Sequence, residues 1–342
     1  MIKIIISLDY EVFGDGSGSV LNDVIRPTDR ILAIAGKYGV PVTIMFEICE
    51  FMKYEEFDGD LQNDLGYSPA GLMKEQVQRA FKAGHDVQLH IHPQWADAVY
   101  KGKKWVMKDP WKEVGDLTAE EAVNLIEKSK EKLVSVLREI DAGYECTSAR
   151  FTGYNWVQAS TVSHEALKKA GIKAHSLADH CPFDGNRPYW PLDGAKELYE
   201  IPIFSQMIPK YRMFTVMRIW TALYLQMRAR VPILSRKLAS EVFTSRRGLV
   251  GILGGVYCQK WDFCKQTAGE MLMFLEKGME RFKGEKADVP MVMIGHANIF
   301  FNDRGLEKFL KRTAEKYLKD GSVRFSTFRE FVSGNLGRKE GK

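Results

Sequence analysis

The first residues, Ile2 to Leu8, form an almost unbroken apolar run that ends on Asp9. Such continuity suits a strand covered on both faces, as in a parallel sheet flanked by helices. The period then changes: Pro27 to Tyr38 has helical spacing and stops at Gly39, and Val40 to Glu47 (VPVTIMFE) returns to a strand. A polar stretch from Tyr54 to Tyr67 leads to a helix over Ser68 to Ala83, closed by Gly84, and a third strand runs from Asp86 to His92 until Pro93 ends it. From Thr118, with Glu120 and Glu121 in its first turn, an amphipathic helix extends to about Ile140. Cys146 to Phe151 reads as a strand, Ala159 to Lys169 as a helix and Ile172 to Ser176 as a short strand. A helix over Lys265 to Phe282, a strand over Val289 to Ile294, a helix over Leu306 to Leu318, and a strand and helix within Val323 to Val332 complete the series. Alternating strands and helices predict an α/β fold whose sheet is built by crossover helices.

The rhythm breaks between about residues 203 and 250. Met213, Met217, Trp220, Leu223, Tyr224 and Met227 recur at helical spacings there, which predicts a basic, amphipathic helical insertion. Nine lysines and arginines stand against Glu241 alone over residues 203–247, outweighing the formal +5 of the whole chain. One reading packs this helix on the body of the protein with its arginines solvated. The other makes it an interfacial surface that meets an anionic membrane or clasps the phosphates of a lipid-linked sugar. Nucleic acid is not an expected partner, because no recognition motif or interleaved aromatic platform accompanies the charge.

A length of 342 residues suits one large barrel-like domain over 1–336, with the insertion and a flexible tail at 337–342. The hydrophobic share of 45% and charged share of 27% are those of an average globular protein, without a transmembrane run. No secretory cleavage signal is evident, and the five cysteines form no CxxC pair or disulfide framework. The expected location is the cytoplasm, with the insertion as a peripheral contact to the inner face of the membrane.

Chemistry concentrates at strand ends. Asp9 and Glu11 stand two apart, so in an extended backbone their carboxylates share one side, and His90 and His92 repeat that geometry. In a parallel α/β sheet all strand C-termini share the edge where ligands bind. Two carboxylates and two imidazoles meeting there suit Zn²⁺ or another divalent first-row metal. His296 follows a later strand to the same edge and is free to act as an acid. A lone histidine is as often a packed core residue, but His90, His92, His175 and His296 are four of seven histidines in the chain. His175, beside Asp179, is expected only to line the cleft.

The motifs LDYE, VPVTIMFE, GHDVQLHIHPQW, RFTGY, ELYEIPIF and MIGHANIF, in this order, resemble those of the polysaccharide deacetylase family (the NodB homology domain, carbohydrate esterase family four). The resemblance covers nearly the whole chain outside the basic insertion. It implies a distorted (β/α)7-8 barrel and removal of N- or O-acyl groups from sugars with a divalent metal. It makes Asp9 the general base, Arg150 the residue that orients it, His90 the first metal-ligating histidine and His296 the acid that protonates the leaving group. The backbone at Gly153 and Tyr154 then donates to the oxyanion.

Two places depart from the family pattern. Tyr10 stands where the second aspartate is usual, so Glu11 is taken as its replacement. Gln94 stands where the second histidine is usual, so His92 is taken as ligand, with Gln94 as the alternative. Tyr154, Gly153, Asp179 and Trp95 are the expected substrate contacts, and Trp156, Trp190 and Trp261 are further candidates for stacking on sugar rings. The expected function is metal-dependent removal of an acetyl group from an N-acetylated sugar or polysaccharide precursor. The alternatives are a catalytically degenerate barrel that binds glycans or a membrane, and a metal-independent C–N hydrolase of small amides.

Overall fold

A computed structural model describes residues 1–151, 156–176, 187–209 and 256–336, with the backbone alone for 156–162. Gly153, Tyr154, Asp179, the Trp156 side chain, the tail 337–342 and the insertion from 210 to 255 lie outside the described residues.

The strands in chain order are β1 (Ile2–Tyr10), β2 (Thr43–Glu47), β3 (Asp86–Ile91), β4 (Val99–Lys101), β5 (Lys104–Val106), β6 (Ser148–Phe151), β7 (Ala174–His175), β8 (Trp190–Pro191), β9 (Tyr199–Glu200), β10 (Ser205–Pro209), β11 (Val256–Lys260), β12 (Val289–His296) and β13 (Val323–Ser326). The helices are α1 (Arg26–Gly36), α2 (Ile48–Glu56), α3 (Asp58–Leu65), α4 (Pro69–Lys82), α5 (Ala119–Arg138), α6 (Trp156–Lys169), α7 (Ala268–Arg281), α8 (Asp303–Thr313) and α9 (Phe328–Asn335).

The main sheet runs β12-β1-β2-β3-β6-β7-β9-β8, with β13 beside the first half of β1, and all pairings are parallel except β8 with β9. Beyond β9, Ile203 forms a parallel bridge to Val292 of β12, so the chain returns to the far edge and the sheet curls into the distorted α/β barrel that the sequence predicts. Alternation along the strands sorts two cores. Ile4, Ile6, Leu8 and Tyr10 of β1, with Phe46, Leu89 and Met291, face the helical layer, whereas Ile5, Met45, Ala174, Val292 and Ile294 face the other way and pack with Ile201, Phe328 and Phe331. Helix α9 thus supplies Phe328 and Phe331 to the barrel interior.

Helix starts follow local chemistry. Thr118 with Glu121, Thr267 with Glu270, and Thr327 with Glu330 form reciprocal capping boxes, and Ser68 caps α4 with Pro69 at its first turn. Gly39 (φ 62°) and Gly84 (φ 89°) end the first and fourth helical segments in the left-handed region that glycine tolerates.

Two expectations are corrected. The polar stretch 54–67 is largely helical: α2 buries Ile48, Cys49, Phe51 and Tyr54 on one face, and α3 follows with only Leu61 buried. The start of the expected helical insertion, 203–209, is extended, because β10 pairs antiparallel with β11 from the far side of the insertion. Among the described residues no helix is long and apolar enough to cross a membrane.

Candidate active site

The interior-facing positions at the ends of the strands carry the polar residues. Asp9 is opposite His296 in the β1–β12 register, Glu47 opposite His90 in β2–β3, and His90 opposite Arg150 in β3–β6. The period of two therefore puts Asp9, Glu47, His90, Arg150 and His296 on one side of a single sheet edge. Glu11, two residues after Asp9, joins them. Tyr10 points the opposite way, into the outer core, where its hydroxyl donates to Gln76 Oε1 at 2.9 Å. It cannot take a ligand place, which leaves Glu11 as the carboxylate available next to Asp9.

Below this edge Arg150 ties three strands together. Its guanidinium pairs with Asp9 through Nη1 and donates through Nη2 to Ser7 Oγ at 3.0 Å and Ser176 Oγ at 3.2 Å. Its Nε donates to the Ser176 carbonyl at 2.9 Å. Burial pushes the Asp9 carboxyl up, but Arg150, His90 and His296 outweigh it and hold the group down at about 2. The other Asp9 oxygen faces His296 Nε2 at 3.5 Å. The His296 side chain is 27% exposed, so this side of the Asp9 pair is open to solvent.

On the other side of Asp9, Glu11 Oε2 sits between two imidazoles, 3.2 Å from His90 Nε2 and 3.0 Å from His92 Nε2. The imidazole rings lie 4.6 Å apart on the same side of the chain, because His92 keeps an extended backbone (φ −116°, ψ 99°) before Pro93 turns it. His90 is oriented from behind by a hydrogen bond between Nδ1 and the Arg150 carbonyl at 2.9 Å. Gln94 Nε2 approaches His92 Nδ1 at 3.5 Å, a polar neighbour of the imidazole. Burial disfavours the charged form of both histidines, yet Asp9 and Glu11 outweigh it at His90 and raise it to about 9, while burial prevails at His92 and lowers it to about 4. Burial likewise opposes ionisation of Glu11, but His92 and His90 keep its carboxyl below the usual range.

This donor set fits a divalent cation. Glu47 Oε2 is a buried atom without a hydrogen-bond partner, and Glu11 Oε2 and His92 Nε2, though 3.0 Å apart, make no hydrogen bond of good geometry. Donor atoms of Glu11, Glu47, His90 and His92 all lie within 4.8 Å of one another. Lone pairs converging in a water-poor place are costly unless a positive charge meets them, and imidazole with carboxylate is a common first-row metal set.

Glu47 is the residue that sequence reasoning missed. It ends the quoted motif VPVTIMFE, and its carboxylate Oε1 accepts from the backbone of Cys49 and Glu50, capping α2. Burial pushes its carboxyl up to about 8. The signal was an acid at the end of the second strand on this edge, followed by a helix start that the sequence pattern masks.

Other expectations change. Trp95 is 0% exposed and packs against Tyr54 and Trp105 at ring separations of 6.0 and 5.1 Å. It therefore supports the wall under the site and offers no face to a sugar. Trp261 is equally buried, against Phe204 and Phe309, and Trp190 is buried as well. His175 does not line the cleft: it lies on the helix-facing side against Phe151, with Nδ1 at 2.8 Å from Glu200 Oε2.

No protein-family profile matches the chain, and no curated protein matches its sequence. Solved structures do match in shape. A protein assigned as a polysaccharide deacetylase from Mycobacterium smegmatis aligns over 97% of this chain and 89% of its own, with TM-score 0.50 and 13% identity. Puue allantoinase aligns over 98% and 91%, with TM-score 0.50 and 11% identity. A family 57 branching enzyme from Thermococcus kodakaraensis aligns over 99% and 71%, with TM-score 0.52 and 10% identity. At these identities the likeness is one of fold: the chain has the barrel of the polysaccharide deacetylases, a barrel that other chemistries also use.

Proposed function

We propose that this protein is a metal-dependent hydrolase that removes an acyl group, acetyl in the first instance, from the nitrogen of an N-acetylated sugar or polysaccharide precursor. The observation that carries the proposal is the juxtaposition of two units on one sheet edge. One is a carboxylate held ionised between an arginine and a partly exposed histidine; the other is a cluster of imidazoles and carboxylates with unpaired buried donors.

Glu11, His90 and His92 are the residues that would hold the cation, with Zn²⁺ the first choice on the imidazole content. A bound divalent ion supplies Lewis acidity, polarising the acyl carbonyl and acidifying water. Asp9 is placed to accept the proton of the attacking water. Arg150 keeps it a carboxylate, and the bonds that Arg150 donates to Ser7 and Ser176 fix the guanidinium in turn. His296, across Asp9 and open to solvent, is placed to give a proton to the departing nitrogen as the tetrahedral intermediate collapses. The buried wall of Trp95, Tyr54 and Trp105 holds the loop after His92 in place.

A second substrate class follows from the fold that the chain shares with an allantoinase: small C–N amides processed by the same acid and base. Acetate release from N-acetylglucosamine oligomers, run beside hydrolysis of allantoin with Zn²⁺-loaded protein, separates the two. Turnover of the oligomers, lost in Asp9→Asn, is the expected result. Turnover of allantoin alone moves the assignment to the second class.

A further inference from the structure

The two oxygens of Glu47 meet different surroundings. Oε1 accepts from the N–H groups of Cys49 at 3.0 Å and Glu50 at 3.3 Å, which fixes the side chain on the first turn of α2. Oε2 has no hydrogen-bond partner and lies within 4.8 Å of the donor atoms of Glu11, His90 and His92. The residue is 0% exposed, so bulk water cannot satisfy that oxygen. Glu50 is the contrast on the same helix. Both its oxygens face the Val12 N–H, at 3.2 and 3.1 Å, and it serves the backbone alone.

We infer that Glu47 ligates the cation directly through Oε2, completing a set of two imidazoles and two carboxylates with Glu11, His90 and His92. The inference rests on the metal-dependent reading above and adds a ligand that the motif resemblance does not assign. Charge balance favours it. Two carboxylates neutralise a divalent ion, so the ion and its ligands are buried without net charge, which removes most of the penalty of placing a charge in the interior. Pre-organisation favours it too. A carboxylate already clamped by two backbone N–H groups loses little rotamer freedom when its other oxygen meets a metal. The four donors come from the residue after β1, from the junction of β2 with α2, and from the end of β3 with the residue after it, so neighbouring strands set the size of the cage.

Glu47→Gln tests this, because glutamine keeps the oxygen that caps α2 and replaces the aimed oxygen with an amide nitrogen that does not ligate. Zn²⁺ binding to chelator-stripped wild type and variant is measured by titration calorimetry or dye competition, with circular dichroism to confirm folding. Loss of a ligand weakens Zn²⁺ affinity more than ~100-fold, beyond the ~10–100-fold expected for a group that only supports a ligand. A loss of about 100-fold or less overturns the assignment. Should Glu47→Gln fail to fold, a crystal structure of the wild-type Zn²⁺ complex decides: Glu47 Oε2 at about 2.0–2.2 Å from the ion supports the inference, and a water or another residue in its place overturns it. Wild type that binds no Zn²⁺ removes this inference together with the metal-dependent reading. Wild type that binds while Glu47→Gln matches it removes the Glu47 assignment alone.

Discussion

Arg150→Met asks how much of this site is held by one buried ion pair. Methionine keeps much of the arginine stem and deletes a guanidinium that is nearly inaccessible to solvent. The deletion leaves Asp9 buried without its counter-charge, and it strips a donor from Ser7 Oγ, from Ser176 Oγ and from the Ser176 carbonyl. Removing one partner of a buried pair costs about 3–5 kcal/mol. Asp9→Asn should also destabilise, since it leaves the guanidinium buried and under-compensated. The double variant removes both charges, so a double-mutant cycle should show a coupling of about 2 kcal/mol or more, in the range for contacting residues.

The pH dependence has a defined sign. The Asp9 carboxyl is held at about 2 in the folded protein, below its ordinary value of ~3.9. A depressed carboxyl stabilises the fold above pH ~4, and that contribution, about 2–3 kcal/mol, is lost as pH falls through the folded value near 2. Urea unfolding of the chelator-stripped protein, followed by tryptophan fluorescence at neutral pH and again near pH 3, reads both quantities. Arg150→Met should flatten the acid limb. A coupling below ~0.5 kcal/mol, or an acid limb unchanged by the substitution, refutes the argument that Arg150 holds Asp9 ionised.

Three further outcomes follow from the geometry. On a confirmed substrate, Asp9→Asn and His296→Ala should each lower turnover ~100-fold or more, as loss of a base or an acid does; rates like those of wild type would remove those roles. Gly295→Ala should lower stability by about 1–3 kcal/mol, because its Cβ would fall 2.1–2.4 Å from the Phe263 ring. Phe263→Leu should recover part of that loss in a thermal melt, and a fully stable Gly295→Ala would show that the contact relaxes freely. Trp95→Ala should cost ~3–5 kcal/mol, as loss of a buried aromatic ring does. A raised KM with no loss of stability would place that ring at the substrate instead.

Much of the site was legible because the relevant information is local. In β1 the alternation of Asp9, Tyr10 and Glu11 decides which two side chains meet, and the same period pairs His90 with His92. His296 is placed by strand register one step further, opposite Asp9. Glu47 was not legible by that route. Its role depends on the chain turning from β2 straight into α2, and the mixed run ICEFMKYEE masks the helical face that Ile48, Phe51 and Tyr54 bury. Trp95 was misread for a different reason. An aromatic residue next to a site motif is equally consistent with a rim and a core, and its burial is set by Trp105, brought back over it by the β4–β5 hairpin, and by Tyr54 on α2, distant in sequence. The β10–β11 pair escaped too, since its partners are separated by the whole basic insertion.

The central claim is that a cation at Glu11, His90 and His92 enables Asp9 and His296 to cleave an acyl amide. The most direct measurement is acetate released from N-acetylated sugar oligomers as Zn²⁺ is added stepwise to chelator-stripped protein. Turnover should start near zero, rise with added ion and level off at one equivalent per chain. Turnover that is full before any ion is added, or absent at every equivalence in folded, metal-loaded protein, contradicts the account.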